Sequence, residues 1–146
     1  MEGEPEDRRM IGALLRIPRE AAIRQVMDGL ARAGFGDLRP AHFTVFQHLP
    51  LQGLRLTALA EAALLTKQSM GYLVDDLEGL GYVDRAPDPT DRRAKMVRLT
   101  TRGRQVDDTV QGVIRQIEID WAQRMGPDNF AQLVQQLRAL IAILSE

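Results

Sequence analysis

The chain has 146 residues, 45% of them hydrophobic and 27% charged, and a formal net charge of −1. This is one domain's worth of ordinary globular sequence, enough for a modest core. Zero cysteines exclude a disulfide framework, a thiolate metal site and a thiol switch, and no apolar run approaches the length of a bilayer span.

The first seven residues, MEGEPED, are acidic, lack the apolar segment of a signal peptide and read as a frayed end, which places the chain in the cytoplasm. Residues 8–33 carry a helical pattern, with Ile11, Leu14, Leu15, Ala22, Ile23, Val26, Met27 and Leu30 on one side. Pro18 interrupts it, deletes one backbone bond and predicts a kink, and Gly34-Phe35-Gly36 ends it. Pro40 suits the first turn of a second helix that stops before Pro50, its core face being Phe43, Phe46 and Leu49. His42 and His48 lie six apart on it, whereas two metal ligands on one helix face need a spacing of three or four. No metal site is expected from them. Residues 51–55 suit a very short strand alongside the strand pair of residues 82–85 and 95–100.

Residues 56–82, LTALAEAALLTKQSMGYLVDDLEGLGY, read as two helices joined by a tight turn. Thr57 is the expected N-cap of the first, Leu64 and Leu65 make the turn, and Thr66 caps the second. Met70, Leu73, Val74, Leu77 and Leu80 form the buried stripe of that second helix. Its other face opens with Lys67, Gln68 and Ser69 and carries Tyr72 one turn on. Short hydrogen-bonding side chains at the helix start, with apolar ones behind, are what a helix needs to enter a major groove while anchored to its domain.

Gly81 stands where a helix end wants a left-handed residue, and residues 82–85 read as a strand. Residues 86–93 read as a loop because two prolines oppose helix and central strand. Residues 95–100 form the second strand. Between Arg85 and Arg104 there are seven Lys/Arg against two acids, Asp88 and Asp91, a local net of +5 in an acidic chain. Such a basic stripe is the footprint of a polyanion site. A solvated charged hairpin is the plainer alternative.

Thr100 or Thr101 is set to cap a helix running to about Met125, with Val106, Val110, Val113, Ile117 and Trp121 close to a heptad seam and Ile114 widening it. Gly126-Pro127 breaks it. A last helix follows to Ser145, with Phe130, Leu133, Val134, Leu137, Leu140, Ile141 and Leu144 apolar. One small domain cannot easily bury these seams and the first helix's stripe together, so the terminal helices should pair with a second copy about a two-fold axis. An internal helical bundle is the alternative.

The predicted fold is thus mainly α with a small β-wing: a winged helix-turn-helix with N- and C-terminal dimerisation helices. It forms one domain, residues 1–146, in which 37–100 are the DNA-binding core and 1–36 and 101–146 dimerise. In a two-fold dimer the two recognition helices would meet successive major grooves, about 34 Å apart, of a pseudo-palindromic duplex. Thr66 and the helix N-terminus would take a phosphate, Gln68 and Ser69 would face base edges, and Lys67 and Tyr72 base or phosphate. At the wing, Arg92 or Arg93 would enter the minor groove, Asp91 would orient one of them, and Lys95 and Arg98 would contact phosphates. There is no phosphate loop or His-carboxylate cluster at useful spacing, so neither an enzyme nor a cofactor is expected. A winged-helix protein-interaction module is the alternative function.

The same residues resemble the winged-helix core of the MarR family of bacterial regulators. The resemblance rests on Asp88-Pro89-x-Asp91-Arg92-Arg93 followed by Val97-x-Leu99-Thr100-x-x-Gly103, and on the Leu73–Arg85 run that precedes it. It implies a homodimeric repressor, nucleoid-associated when bound to DNA and released by a small aromatic or lipophilic anionic effector. That effector would bind between the dimer helices and the winged core, with Arg16, His42 and Phe46 on the helices lining the cleft. One departure is Leu64, where the family commonly has glycine: leucine avoids positive φ.

Overall fold

The computed structural model describes residues 10–146; the polar start and the first residues of the expected N-terminal helix lie outside them. In chain order the elements are α1 (Ile11–Arg32), α2 (Pro40–His48), β1 (Leu54–Arg55), α3 (Leu56–Ala62), α4 (Lys67–Gly79), β2 (Val83–Asp88), β3 (Asp91–Leu99), α5 (Thr101–Met125) and α6 (Pro127–Leu144). The three strands form an antiparallel sheet in the order β1-β3-β2. Helices α3 and α4 pack on each other and on α2, and β2 and β3 form the wing. This is a winged helix-turn-helix, mainly α with a small β-wing.

The core gathers Phe43, Val45 and Phe46 of α2, Leu59 of α3, Met70, Val74 and Leu77 of α4, and Tyr82, Val83, Val97 and Leu99 at and within the sheet. It continues along α5 through Val106, Val110 and Ile117 onto Val26 and Leu30 of α1. Thus the seam of α5 is buried within its own chain, mostly against α1. That corrects the expectation that this seam lacks an internal partner. What stays uncovered is the N-terminal half of α1, including Ile11, Leu14 and Leu15, and α6, which buries no residue fully. Helix α1 continues through Pro18 unbroken.

Two further expectations change. Thr57 is not an N-cap: α3 begins at Leu56, after Arg55, and no side chain caps it. Nor is 86–93 a loop. Strand β2 passes through Pro87 to Asp88 and β3 starts at Asp91, leaving Pro89 and Thr90 as the turn. Proline is tolerated there because β2 is an edge strand. Beyond Pro87 the ladder is irregular: pairing jumps from Pro87↔Lys95 to Asp88↔Asp91, so Arg92, Arg93 and Ala94 are extra residues bulged out of β3.

Gly103 locks α5 to the wing. A Cβ there would lie 2.0 Å from the Tyr82 carbonyl oxygen, which accepts the Thr100 backbone N–H at 3.0 Å. Thr100 in turn caps α5, accepting from the Gly103 N–H, and donates its hydroxyl to the Gly81 carbonyl.

Candidate nucleic-acid interface

The helix-turn-helix turn is made as the sequence requires at Thr66 and against preference at Leu64. Thr66 caps α4, its Oγ1 accepting the Ser69 N–H at 3.0 Å. Its hydroxyl hydrogen goes to Ser69 Oγ at 2.9 Å, so the backbone donors left for a phosphate at this helix start are the N–H groups of Lys67 and Gln68, with the Ser69 hydroxyl and the Lys67 ammonium beside them. Leu64 adopts φ 56 and is 93% exposed. The turn thus keeps the left-handed geometry that glycine would supply freely, and leucine bears the strain.

Thr66, Lys67, Gln68, Ser69 and Tyr72 are all exposed on α4, opposite the buried Met70, Val74 and Leu77. Gln68 Nε2 donates to the Tyr72 hydroxyl at 3.1 Å, one turn along the same face. Asp91, Arg92, Arg93, Lys95 and Arg98 are likewise exposed on the wing. A cleft of ≈ 320 Å³ joins the two sets, since Lys67 from the start of α4 and Lys95 from β3 line it together with Thr57, Arg55 and Arg85.

Not every cation of the basic stripe is free. Arg85 is held by Asp75 and Glu78 at 2.7 and 2.8 Å, Arg98 by Asp84 at 3.2 Å, and Arg102 by Asp37 and the Tyr82 hydroxyl. Among the described residues, Lys67, Arg92, Arg93, Lys95 and Arg104 pair with no carboxylate within 4.0 Å. The outward charge therefore sits at the start of α4 and on the bulged wing tip.

Asp91 does not orient Arg92 or Arg93 through an ion pair. Its Oδ1 accepts the Arg93 backbone N–H at 3.0 Å, and its other oxygen lies 3.9 Å from Arg55. The tip is organised by Asp88, which sequence reasoning left without a role. The Thr90 backbone N–H and hydroxyl both reach its Oδ1 at 2.8 Å, and Arg55 reaches its Oδ2 at 2.7 Å. These contacts, the Thr90 backbone bond foremost, hold the carboxyl at about 2, below its ordinary 3.8. The bond to Arg55 was equally unforeseen, although a strand over 51–55 beside the wing was expected: the β1–β3 pairing brings Arg55 onto Asp88, 33 residues further along the chain.

Arg16, His42 and Phe46 do not line one pocket. Arg16 is exposed and paired with Glu20 along α1. His42 is 2% exposed, its Nδ1 accepting the Arg39 N–H at 3.0 Å and its Nε2 facing Asp76 of α4 at 3.4 Å, so it is a satisfied core histidine. Phe46 is a core residue that edges a different hollow. The cleft that could hold an apolar molecule measures ≈ 310 Å³ and runs between α1, α2, α5 and α6. Ile23, Val26, Phe43, Ile117, Trp121 and Leu137 form much of its wall, with Arg19, Gln47 and Glu118 as polar members. Its walls include α1 and α2, the helices that carry Arg16, His42 and Phe46, but none of these three residues lines it.

Residues 37–94 match the model of the MarR family. The fold is similar to that of the transcriptional regulator PA4135, at 28% identity over 93% of this chain and 98% of that one, with a TM-score of 0.71. It is also similar to CouR from Rhodococcus jostii RHA1 bound to p-coumaroyl-CoA, at 26% identity, with 90% and 88% of the two chains covered and a TM-score of 0.69. The transcriptional repressor CouR bound to a 23-mer DNA duplex matches at 24% identity, with 90% and 92% covered and a TM-score of 0.70, a likeness of fold. No curated protein sequence matches the chain significantly.

Proposed function

We propose, from the premise that this chain is a MarR-family winged helix-turn-helix transcriptional regulator, that it is a dimeric, sequence-specific DNA-binding repressor released by a small-molecule effector. The observation that carries this is that Lys67 at the start of α4 and Lys95 on the wing, neither paired with a carboxylate, line one basic cleft, while Arg92 and Arg93 stand exposed on the same wing. On this reading α4 enters the major groove, the bulged Arg92 and Arg93 reach the minor groove, and Lys95 and Arg98 contact phosphates.

The apolar surfaces support the dimer. Met10 just before α1, Ile11, Leu14 and Leu15 on α1, and Ile141, Ile143 and Leu144 on α6, are exposed. Apolar side chains concentrated at two chain ends are what a self-complementary two-fold interface covers. Residues 37–100 would then be the DNA-binding core, and 1–36 with 101–146 the dimerising part. The effector is assigned to the ≈ 310 Å³ cleft, whose apolar wall suits an aromatic or lipophilic body and whose Arg19 suits an anionic group. Phe43 and Gln47 bring α2 into that wall, and α2 packs on α4. A ligand that wedges α2 can therefore bias the recognition helices, provided it binds the DNA-incompetent arrangement more tightly.

The test is binding of the purified protein to random and selected duplexes across a salt series. A binder neutralising six to ten phosphates loses roughly 10³–10⁵ in affinity between 50 and 200 mM salt, and selection should enrich an inverted repeat. No binding at low salt would overturn the reading in favour of a protein-interaction module.

A further inference from the structure

Gln68 and Tyr72 sit one turn apart on the exposed face of α4, and the amide Nε2 donates to the phenol oxygen at 3.1 Å. Tyr72 is 63% exposed, a large ring left in solvent with no core to fill. The bond has a consequence for what Gln68 can read. A glutamine amide has two N–H donors and one carbonyl acceptor. With one N–H on Tyr72, what remains is one N–H beside one C=O. Adenine presents the matching pair in the major groove, an acceptor at N7 and a donor at N6; guanine presents two acceptors, N7 and O6, and would set O6 against the amide oxygen. A free glutamine can aim both N–H groups at the two acceptors of guanine, or one N–H and the C=O at adenine. One tethered to Tyr72 through Nε2 has committed its second N–H and cannot serve both guanine acceptors without breaking the tether.

We propose that Tyr72 is a positioning residue that holds the Gln68 amide in the orientation that reads adenine, at one base pair of each half-site. This rests on the DNA-binding reading and adds to it the base read and the residue that sets the choice. Tyrosine is suited to the task because its ring moves on two torsions only, whereas glutamine loses several rotamers when it is ordered. Ordering Gln68 before DNA arrives leaves less to be ordered on binding. Ser69 is not equivalent. Its oxygen already accepts from Thr66, and a single hydroxyl can serve as donor or acceptor, so it does not distinguish the bases in the same way.

The test selects duplexes from a random library with wild type, Gln68→Ala, Tyr72→Phe and the double variant, then measures affinity on the selected site. Wild type should enrich adenine at one position per half-site, and Gln68→Ala should lose the preference there alone. Tyr72→Phe keeps the ring and removes only the hydroxyl. It should lower the adenine-over-guanine ratio at that position several-fold, with the base preferences at the other positions of the site kept. The double variant should discriminate no worse than Gln68→Ala. Replacing the adenine by 7-deazaadenine, which lacks the N7 acceptor, should cost wild type roughly tenfold, the order of discrimination of a bidentate contact, and cost Gln68→Ala almost nothing.

A Tyr72→Phe variant that keeps the wild-type ratio, or weakens binding to all sequences alike, overturns the inference. So does a guanine preference at the Gln68-dependent position. If wild type binds DNA but no position depends on Gln68, the inference falls and the DNA-binding reading stands. If wild type binds no DNA, both fall.

Discussion

Gly103→Ala sets two physical effects against each other. Gly103 lies in the first turn of α5, and helix propensity alone says that alanine should stabilise by about 1 kcal/mol. The tertiary contact says otherwise. The new Cβ would sit 2.0 Å from the Tyr82 oxygen, 3.1 Å from the carbonyl carbon and 3.2 Å from Leu99 Cδ2. Carbon and oxygen settle near ~3.3 Å, so the start of α5 must withdraw by more than an ångström. That withdrawal breaks the Thr100 N–H bond to Tyr82 and the Thr100 hydroxyl bond to Gly81, worth about 1 kcal/mol each. Misfit in the surrounding packing adds roughly 1–3 kcal/mol. Set against the propensity gain, the net loss is about 3 kcal/mol, which lowers the melting temperature by roughly 10 °C in a chain of this size. Gly71→Ala is the control: it lies inside α4, its Cβ would meet only Leu56 Cδ2 at 3.9 Å, and it should gain up to about 1 kcal/mol. Thermal and urea denaturation at one fixed protein concentration reads both. Equal shifts in the same direction would refute the argument.

Asp88 should make stability depend on acid. Its folded carboxyl titrates at about 2 against 3.8, so its stabilising contribution is complete above the higher value and is lost as pH falls towards the lower one. Asp88→Asn should flatten the dependence of the denaturation midpoint on pH between those two values, and an unchanged slope would contradict it. Leu64→Asn should raise stability by ~0.5–1 kcal/mol, because asparagine tolerates the left-handed conformation better and Leu64 buries almost nothing; a loss would show that the exposed leucine has a partner. Arg93→Ala should leave the melting temperature unchanged and reduce the salt slope of DNA binding by about 0.9, one phosphate's worth, and unaltered binding would remove Arg93 from the interface. Trp121 is the chain's single tryptophan and lines the apolar cleft. Salicylate or a hydroxycinnamate occupying that cleft should change its emission, with Ile23→Trp blocking the effect as judged by competition for DNA; no change at millimolar ligand would count against the assigned site.

The sequence alone determined the elements whose rules are local. Thr66 and Thr100 cap their helices because a hydroxyl at the residue before the first turn satisfies an orphan N–H, whereas Thr57 falls one residue inside α3 and caps nothing. The 3-and-4 spacing of Met70, Val74 and Leu77 fixed which face of α4 is buried, and hence which side chains it can show to a ligand. Pro40 and Gly81 marked a helix start and a helix end for equally local reasons. The fold class, and the outward placement of the candidate residues on α4 and the wing, were therefore legible in the sequence.

Tertiary structure decided what depends on long-range pairing. Whether the α5 seam faces a second copy or its own α1 is a question of how two helices far apart in sequence pack, and periodicity is the same in both cases. Whether Pro87 ends a strand or sits within one depended on β2 lying at the sheet edge. The partner of Asp88 is Arg55 because β1 pairs with β3, and no spacing within the wing could have named it. The apolar cleft has the same origin. Its walls come from four helices whose residues span positions 19 to 137, and only packing makes them one surface.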